Sequence, residues 1–516
     1  MKILTAEQIR EIDRLSTEQF GIPSILLMEN AGMRVVEALE GRFEDLEELT
    51  IAILCGKGNN GGDGFVVARQ LIQKGCYPFV FLFSEESEVK GDAKTNLEIL
   101  KAIGCPPTVV ISEHDWYEER LEVIDADIIV DALLGTGLSK PLNGLYKSIV
   151  ETLDDFVGAT IVSIDVPSGL QTNDSRVGGP AVEADLTVTF TALKPCLVLP
   201  PSHDFAGDVF VADIGNPHEL LESGELNLHL IEPSLFPAAR HIRESDTNKG
   251  DYGKVLVIGG SRGKSGAAAM SGQAALRAGA GLVTVATASS VLPSIAASMP
   301  ELMTEPLAET GEGTIAGQDI SKIVHGKTVL AIGPGLTTHP ETAAFVRGLI
   351  RDTTLPVVID ADGLNAFDGH SDEIRGNGQA RILTPHPGEM ARLIGGEISQ
   401  VVDNRVEVAR SFATEHKVYV VLKGFRTVVA TPDGSAYVNS TGNPGMATGG
   451  TGDVLTGMIA GLLGQENLGD FVERLCLAVY LHGLAGDLAA EELGEEVMVA
   501  TDILRFLPAA WKQLRS

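Results

Sequence analysis

Short apolar runs of about five residues recur along the chain, each ending in glycine, proline or a polar group. In the first part they fall at 50–55, 79–83, 127–131 and 160–165. Later ones fall at 254–258, 282–286, 328–332, 356–360, 381–383 and 419–422. Continuous apolar runs of this length predict strands buried on both faces, as in a parallel sheet. Helical spacing predicts a helix through Phe65, Val66, Ala68, Leu71 and Ile72, and another through Val454, Leu455, Met458, Ile459, Leu462 and Leu463. Thr5 and Gln8 form a capping-box pattern, with Ile9 and Ile12 on one face of the helix they open. Strands alternating with helices predict α/β architecture. The pattern fades across 217–245, where proline and charge become frequent, so domains are expected at 1–216 and 246–516 with a linker between.

Composition narrows the classes. At 516 residues, with 44% hydrophobic and 21% charged content, the chain has the make-up of a soluble protein of two or more domains. A net charge of −31 argues against nucleic-acid and anionic-membrane partners. Residues 278–300 carry no charge, but Gly, Ser, Thr, Ala and Pro dominate them, which predicts buried core rather than a membrane span. Five scattered cysteines without a C-x-x-C pair, and a start that turns charged at once, predict a reduced, cytoplasmic protein.

Candidate chemistry gathers where strands end. The run 50–55 enters Gly56-Lys-Gly-Asn-Asn-Gly-Gly-Asp-Gly64, which contains the dinucleotide fingerprint Gly56-x-Gly58-x-x-Gly61. Asn59, Asn60 and Asp63 exceed what that fingerprint needs and predict a turn that also binds through side chains. Asp131 leads into Gly135-Thr136-Gly137, and Asp165 into Val-Pro167-Ser168-Gly169. Two strand-end carboxylates beside Asn60 and the Ser168 hydroxyl make an oxygen-ligand cluster suited to a hard cation. Asp165 is the expected acid/base, and Lys194 the second candidate. The competing reading of Lys194 is a solvent-facing lysine before a proline.

The second half carries a loop that resembles a Walker A motif, Gly263-Lys264-Ser265, but the first glycine of that motif would stand at 258, which is Ile258. The stronger phosphate candidate is Gly442–Gly457, with six glycines in sixteen residues. That loop delivers Thr451, Gly452 and Asp453 to the start of a buried helix, whose free amides and dipole attract anions. Asp453 reads either as a simple helix cap or as a base beside a phosphate. His386 is held between two prolines and is expected to contact ligand; a turn residue without a role is the other reading.

The ordered motifs Gly-Asn-Asn-Gly-Gly-Asp-Gly, Asp-Ala-Leu-Leu-Gly-Thr-Gly and Asp-Val-Pro-Ser-Gly-Leu resemble the NAD(P)H-hydrate epimerase family over nearly all of 1–216. The resemblance implies a Rossmann-like three-layer sandwich that interconverts the R and S forms of hydrated NADH and NADPH. It further implies potassium on Asn60, Asp131 and Ser168. The substrate would be lined by Asn59, Asn60, Gly61, Gly62, Asp63, by Gly135, Thr136, Gly137, Leu138, Ser139, Lys140, Pro141, and by Asp165.

The second half is similar to the ADP/ATP-dependent NAD(P)H-hydrate dehydratases, a ribokinase-like α/β sandwich. The similarity is carried by Lys-Gly-Asp-Tyr-Gly-Lys-Val-Leu-Val-Ile-Gly-Gly-Ser, Ile-Gly-Pro-Gly-Leu, Asp-Ala-Asp-Gly-Leu-Asn, Leu-Thr-Pro-His-Pro-Gly-Glu and the glycine-rich loop. It implies that a nucleotide, expected to be ADP with magnesium, phosphorylates the ring hydroxyl of the hydrate, and that the phosphate then leaves. Asp453 would take the hydroxyl proton over an anion hole of Gly450, Thr451 and Gly452 amides. Lys423, Gly424, Phe425, Arg426 and Thr427, with Asn443, Pro444, Gly445, Met446, Ala447, Thr448 and Gly449, would hold the nucleotide. Gly335, His386, Pro387, Gly388, Glu389, Met390, Ala391 and Arg392 would hold the nicotinamide. Small molecules are thus the expected partners, in a homo-oligomer. The rival readings are a vitamin-precursor or sugar kinase with a regulatory first half, and an NAD-sensing binding protein.

Overall fold

A computed structural model describes residues 1–516 except Ser139, His241, Ile242, Glu244 and Asn377. The chain divides into two units, Met1–Leu226 and Asn227–Ser516. The first is built on seven strands: β1 Ile51–Cys55, β2 Phe79–Leu82, β3 Thr108–Val109, β4 Ile128–Ala132, β5 Thr160–Ile164, β6 Leu186–Phe190 and β7 Asp208–Ala212. All pair in parallel, in the order β3-β2-β1-β4-β5-β6-β7. Alternate residues of β1 explain the layering, because successive side chains point to opposite faces. Ile51, Ile53 and Cys55 enter a core with Leu27, Val35 and Phe65, whereas Ala52 and Leu54 enter another around Phe81, Trp116 and Phe156. Both faces are therefore covered, giving three layers. The strand order reverses between β1 and β4, where open parallel sheets bind their ligands.

The second unit repeats this plan. Its strands are β8 Leu228–Ile231, β9 Lys254–Ile258, β10 Leu282–Ala288, β11 Met303–Leu307, β12 Val329–Ile332, β13 Val357–Ile359, β14 Arg381–Leu383, β15 Tyr419–Leu422, β16 Val428–Ala430 and β17 Ala436–Asn439. They form one sheet, β11-β10-β9-β12-β13-β14-β15-β16-β17-β8, in which only β16 runs antiparallel to its neighbours. Over β11 to β15 the order matches that of the first unit. The stretch expected as a linker, 217–245, contains β8, which pairs with β17 inside this sheet. Of the uncharged run 278–300, expected as buried core, residues 283–288 of β10 are buried, whereas 289–300 lie largely at the surface apart from Val291 and Ile295. Among the described residues no helix is long and apolar enough to cross a membrane.

Two helices, Ser265–Arg277 and Thr451–Leu463, meet backbone to backbone. A Cβ at Gly457 would lie 2.0 Å from the Ser271 carbonyl, and one at Gly461 would lie 2.6 Å from that of Ala275. The glycines of the second helix are thus packing residues, and their cost in helix propensity is offset by close contact with a small-residue partner. The same holds in the first unit, and it corrects the expectation of a long glycine turn at 56–64. The helix Asn59–Gln73 already begins at Asn59, so Asn59, Asn60 and Asp63 lie in it. None of Gly56, Gly58, Gly61, Gly62 and Gly64 has a positive φ. A Cβ at Gly61 would lie 1.8 Å from the Gly56 carbonyl, and one at Gly64 would lie 2.7 Å from Ala132 Cβ.

Candidate active sites

In the first unit β4 and β5 are neighbours, and each delivers an aspartate to the same sheet edge. Asp131 is fully buried and accepts from the Ser163 hydroxyl (2.9 Å), the Ser168 amide (2.8 Å) and the Ser168 hydroxyl (2.6 Å). Burial pushes its pKa up, and these bonds pull against that shift. Asp165 takes a left-handed φ of +69°, a conformation a non-glycine residue holds only when its surroundings enforce it. Its Oδ1 accepts from Lys194 Nζ at 2.7 Å and its Oδ2 from the Thr136 amide at 3.0 Å.

Lys194 is wholly buried, which excludes the solvent-facing reading. Its ammonium also donates to Thr189 Oγ1 (2.6 Å) and the Phe190 carbonyl (2.9 Å). All three of its donors are occupied, so its place is to fix Asp165. Asn60 Oδ1 and Asp165 Oδ2 converge on Gly135, where a Cβ would lie 2.8 and 2.9 Å from them. Among the described residues the buried Asn60 amide nitrogen has no partner. Asp63 is buried beside Asp165 and Asp13; burial first, then those two charges, raise its pKa well above the carboxylate range. Asp13 is raised by burial as well, against its bond from Asn216.

These contacts sort the expected residues. Asn60, Asp63, Gly135, Thr136 and Asp165 meet in one cluster, and Asp131 with Ser168 closes its floor. Ser168 Oγ also exchanges bonds with the Leu134 amide (2.9 Å) and carbonyl (3.0 Å), so Asn60, Asp131 and Ser168 ring the 133–135 turn with oxygen donors. Gly61 and Gly62 face the protein interior, while Gly137 and Lys140 lie in the exposed outer loop. Ser139 lies outside the described residues. Asp13 and Thr189 went unread in the sequence; Asp13 sits four residues after Ile9 in the opening helix, a position that pattern alone marks only as the polar neighbour of a buried face.

In the second unit β13 ends at Asp360, which is buried. Its Oδ1 accepts from Lys423 Nζ (2.6 Å) and Thr384 Oγ1 (2.8 Å), and its Oδ2 from Thr456 Oγ1 (2.7 Å). One carboxylate therefore ties together the ends of β14 and β15 and the helix that starts at Thr451. Asp453 is the third residue of that helix, whose cap Gly450 has φ +99°. Burial first, then Asp360, push the Asp453 carboxyl up to about 7, against the Lys423 charge. Burial works to lower the Lys423 pKa, but Asp360 and Glu389 outweigh it and hold the ammonium above its ordinary range. A Cβ on Gly452 would lie 3.3 Å from Lys423 Nζ, so that cation stands beside the free amides of the helix start. Among the described residues the buried Thr451 Oγ1 has no partner there. Its carbonyl is bonded to His482 Nε2 at 3.1 Å, and burial lowers the His482 pKa to about 4, keeping the ring neutral.

Around this centre Asp362 accepts from the Thr337 amide (2.8 Å) and lies 3.4 Å from Lys264. Gly335, φ +67°, is pinned by Ser261, which donates to its carbonyl at 2.7 Å. Asn443 donates to Asp487 (2.9 Å), which also accepts from the Gly442 amide and so anchors the start of the glycine-rich loop. His386 caps the helix Pro387–Ile394, its Nδ1 accepting from the amides of Gly388 (3.0 Å) and Glu389 (3.3 Å). Met390 and Ala391 point into the core, while Arg392 bonds Asn365 at 3.0 Å. Phe425 is exposed, Arg426 takes φ +55°, and Thr427 closes the turn by donating to the Gly424 carbonyl. Pro444, Gly445 and Met446 form a single 3-10 turn leading to Ala447, Thr448 and Gly449, and a Cβ on Gly449 would meet open space. The sequence reading passed over Thr456, His482 and Asp487, which hold the loop and helix in place.

Each unit is thus a doubly wound sheet with a buried carboxylate–lysine pair at the strand ends, a chain with two separate small-molecule sites. The NAD(P)H-hydrate dehydratase family profile matches residues 255–509, and that of the YjeF-related protein N-terminus matches residues 24–196. The bifunctional NAD(P)H-hydrate repair enzyme Nnr of Moorella thermoacetica is 42% identical over 100% of this chain and 97% of its own length. Its namesake in Thermofilum pendens is 40% identical over 100% of this chain and 97% of its own. A solved ADP/ATP-dependent NAD(P)H-hydrate dehydratase from Bacillus subtilis is 30% identical, covering 56% of this chain and 99% of that one, with a TM-score of 0.48. The chain belongs to the family of bifunctional NAD(P)H-hydrate repair enzymes.

Proposed function

We propose that the first unit interconverts the R and S epimers of hydrated NADH and NADPH, and that the second returns the S form to the reduced cofactor at the expense of ADP, releasing AMP and phosphate. The observation that carries this reading is the carboxyl of Asp453 at a helix start, beside the Lys423 ammonium and tuned to about 7. A base working near neutral pH should have such a value. Asp453 takes the proton of the ring hydroxyl as its oxygen attacks the terminal phosphorus of ADP. The amides of Gly450, Thr451 and Gly452, with Lys423, face the transferring oxygens. The phosphate then leaves as the ring nitrogen lone pair forms an iminium, and loss of a proton from the neighbouring ring carbon to solvent restores the double bond. Magnesium on the nucleotide phosphates would neutralise charge there. Residues 423–427 and 443–449 line the nucleotide side, and Gly335 with 386–392 the nicotinamide side.

In the first unit Asp165 is the acid/base, Lys194 its positioning partner, and Asp63, whose carboxyl pKa burial pushes up, the second proton carrier. Residues 59–63 and 135–141 line the substrate. The oxygen set of Asn60, Asp131 and Ser168 suits potassium, which would supply a fixed positive charge for the substrate phosphates. Five free cysteines support a reducing, cytoplasmic setting. Light scattering tests the homo-oligomer expected of the chain.

The deciding experiment offers each pure epimer of hydrated NADH with ADP and follows reduced-nicotinamide absorbance. Recovery from both epimers supports the reading; a stable phosphorylated product without recovery would establish a kinase instead.

A further inference from the structure

With 70 acidic residues against 39 basic ones, a cavity whose described charged residues are all cationic runs against the composition of the chain. One such cavity, of about 480 Å³, opens in the second unit where the end of the helix Ser265–Arg277, the turn Glu466–Leu468 and the last helix, Ala500–Arg515, come together. Arg243, Arg277, Lys512 and Arg515 line it, and among the described residues no Asp or Glu does.

Two of the four heads are fixed by neutral groups. Arg243 lies 3.6 Å over the Tyr252 ring and donates to the Gly279 carbonyl and to Gln465 Oε1 (3.1 Å). Arg515 lies 4.8 Å over the Trp511 ring and donates to the Ala239 carbonyl at 3.2 Å. Stacking and carbonyl bonds orient a guanidinium without cancelling its charge. Among the described residues none of the four cations forms an ion pair, and Glu466, next to the cavity in sequence, acts on Arg474 instead. Leu468, Pro508 and Trp511 add an apolar wall. A volume in the small-molecule range, with convergent cations and an apolar side, fits a phosphorylated metabolite better than a bare ion.

We propose that this cavity is a second anion site, binding a phosphorylated small molecule of nucleotide size. It is separate from the centre around Asp453. Lys264, which caps the first end of the helix Ser265–Arg277, reaches Asp362 at that centre, while Arg277 ends the helix, about 20 Å away at 1.5 Å per residue.

The two tryptophans provide the test. Trp116 is sealed in the first unit and Trp511 borders the cavity, so a Trp116→Phe variant of the full chain reports on the cavity alone. It is titrated with pyrophosphate, with AMP, and with potassium chloride at matched ionic strength. The expected result is a saturable change in Trp511 emission that survives Lys423→Ala. It should weaken about tenfold or more in Arg277→Gln/Lys512→Gln, since a charge-assisted bond contributes roughly a factor of ten or more. Arg277→Lys/Lys512→Arg should hold binding within a few-fold. Saturation by pyrophosphate shows that phosphate alone suffices; saturation by AMP only assigns the nucleotide as the source. The proposal is overturned by no saturable change with either anion, by an equal response to potassium chloride, or by undiminished binding in the double glutamine variant.

Discussion

Asp165 and Asp360 occupy the same place in two sheets of matching strand order: each follows the fifth strand, β5 in one unit and β13 in the other. Each has a lysine within 2.7 Å, Lys194 or Lys423. Yet the two ammonium groups differ in what remains free. Lys194 is wholly buried and spends all its donors on protein oxygens. Lys423 keeps 18% of its side chain exposed, bonds only Asp360 among the described residues, and stands 3.8 Å from Glu389, too far for a strong hydrogen bond. The same pair therefore does two jobs. In the mechanism proposed for the first unit the lysine orients a reacting carboxylate. In that proposed for the second the carboxylate orients a lysine, and the reacting carboxylate is a third group, Asp453.

The sharpest test of that contrast is Lys194→Met. It strands a largely buried Asp165 carboxylate, so urea unfolding should show the first unit weakened by about 3–5 kcal/mol. Epimerisation should vanish while dehydration of pure S epimer continues. Equal loss of both activities would break the comparison. Next, Asp453→Asn should lower dehydration about 10²–10⁴-fold and leave epimerisation intact, measured with each pure epimer. Because burial disfavours the charged form, the same variant should be more stable than the parent at pH 8 in thermal unfolding.

A smaller effect is a shift in pH. A base with a carboxyl at about 7 is active when deprotonated, so the dehydration rate should fall to half near pH 7 as pH drops. Asp360 contributes to that raised value, so Asp360→Asn should move this limb towards acid, while Lys423, freed from its partner, loses its orientation and the plateau rate falls. A limb that stays put would show that Asp360 acts only as a support. Least of all, His386→Ala should cost about 1 kcal/mol as a lost cap, and His386→Asn, which can cap in its place, should recover it. A raised KM for hydrate in the Asn variant would instead assign the ring to the ligand.

The strands that end in Asp131, Asp165, Asp360 and Lys423 were legible because doubly buried strands read as unbroken apolar runs. β7 and β11 did not read that way: with exposed positions such as Asp208, Phe210 and Pro306, they carry the weak patterns of sheet edges. The loop of 442–457 could be located from its glycines and the apolar stripe after Asp453. The glycines of 56–64 misled, since Gly56, Gly61, Gly62 and Gly64 serve close packing, which a single sequence does not distinguish from a turn. The partners of the site residues were hidden for another reason. Asp13, Thr384, Thr456 and Asp487 come from elsewhere in the chain, and only folding brings a hydroxyl or carboxylate to a group dozens of residues away.

The pairing of β8 with β17 bears on how this chain can be cut. β8 precedes the rest of its sheet by more than twenty residues and forms its last edge, covering β17. A fragment beginning at 246 would leave Ala436–Asn439 as an open strand, with unpaired amides ready to recruit another chain. Proteolytic fragments that retain Leu228 should stay monodisperse, and those that start later should aggregate. Any ancestral joining or splitting of the two activities would therefore have had to carry Leu228–Ile231 with the second sheet.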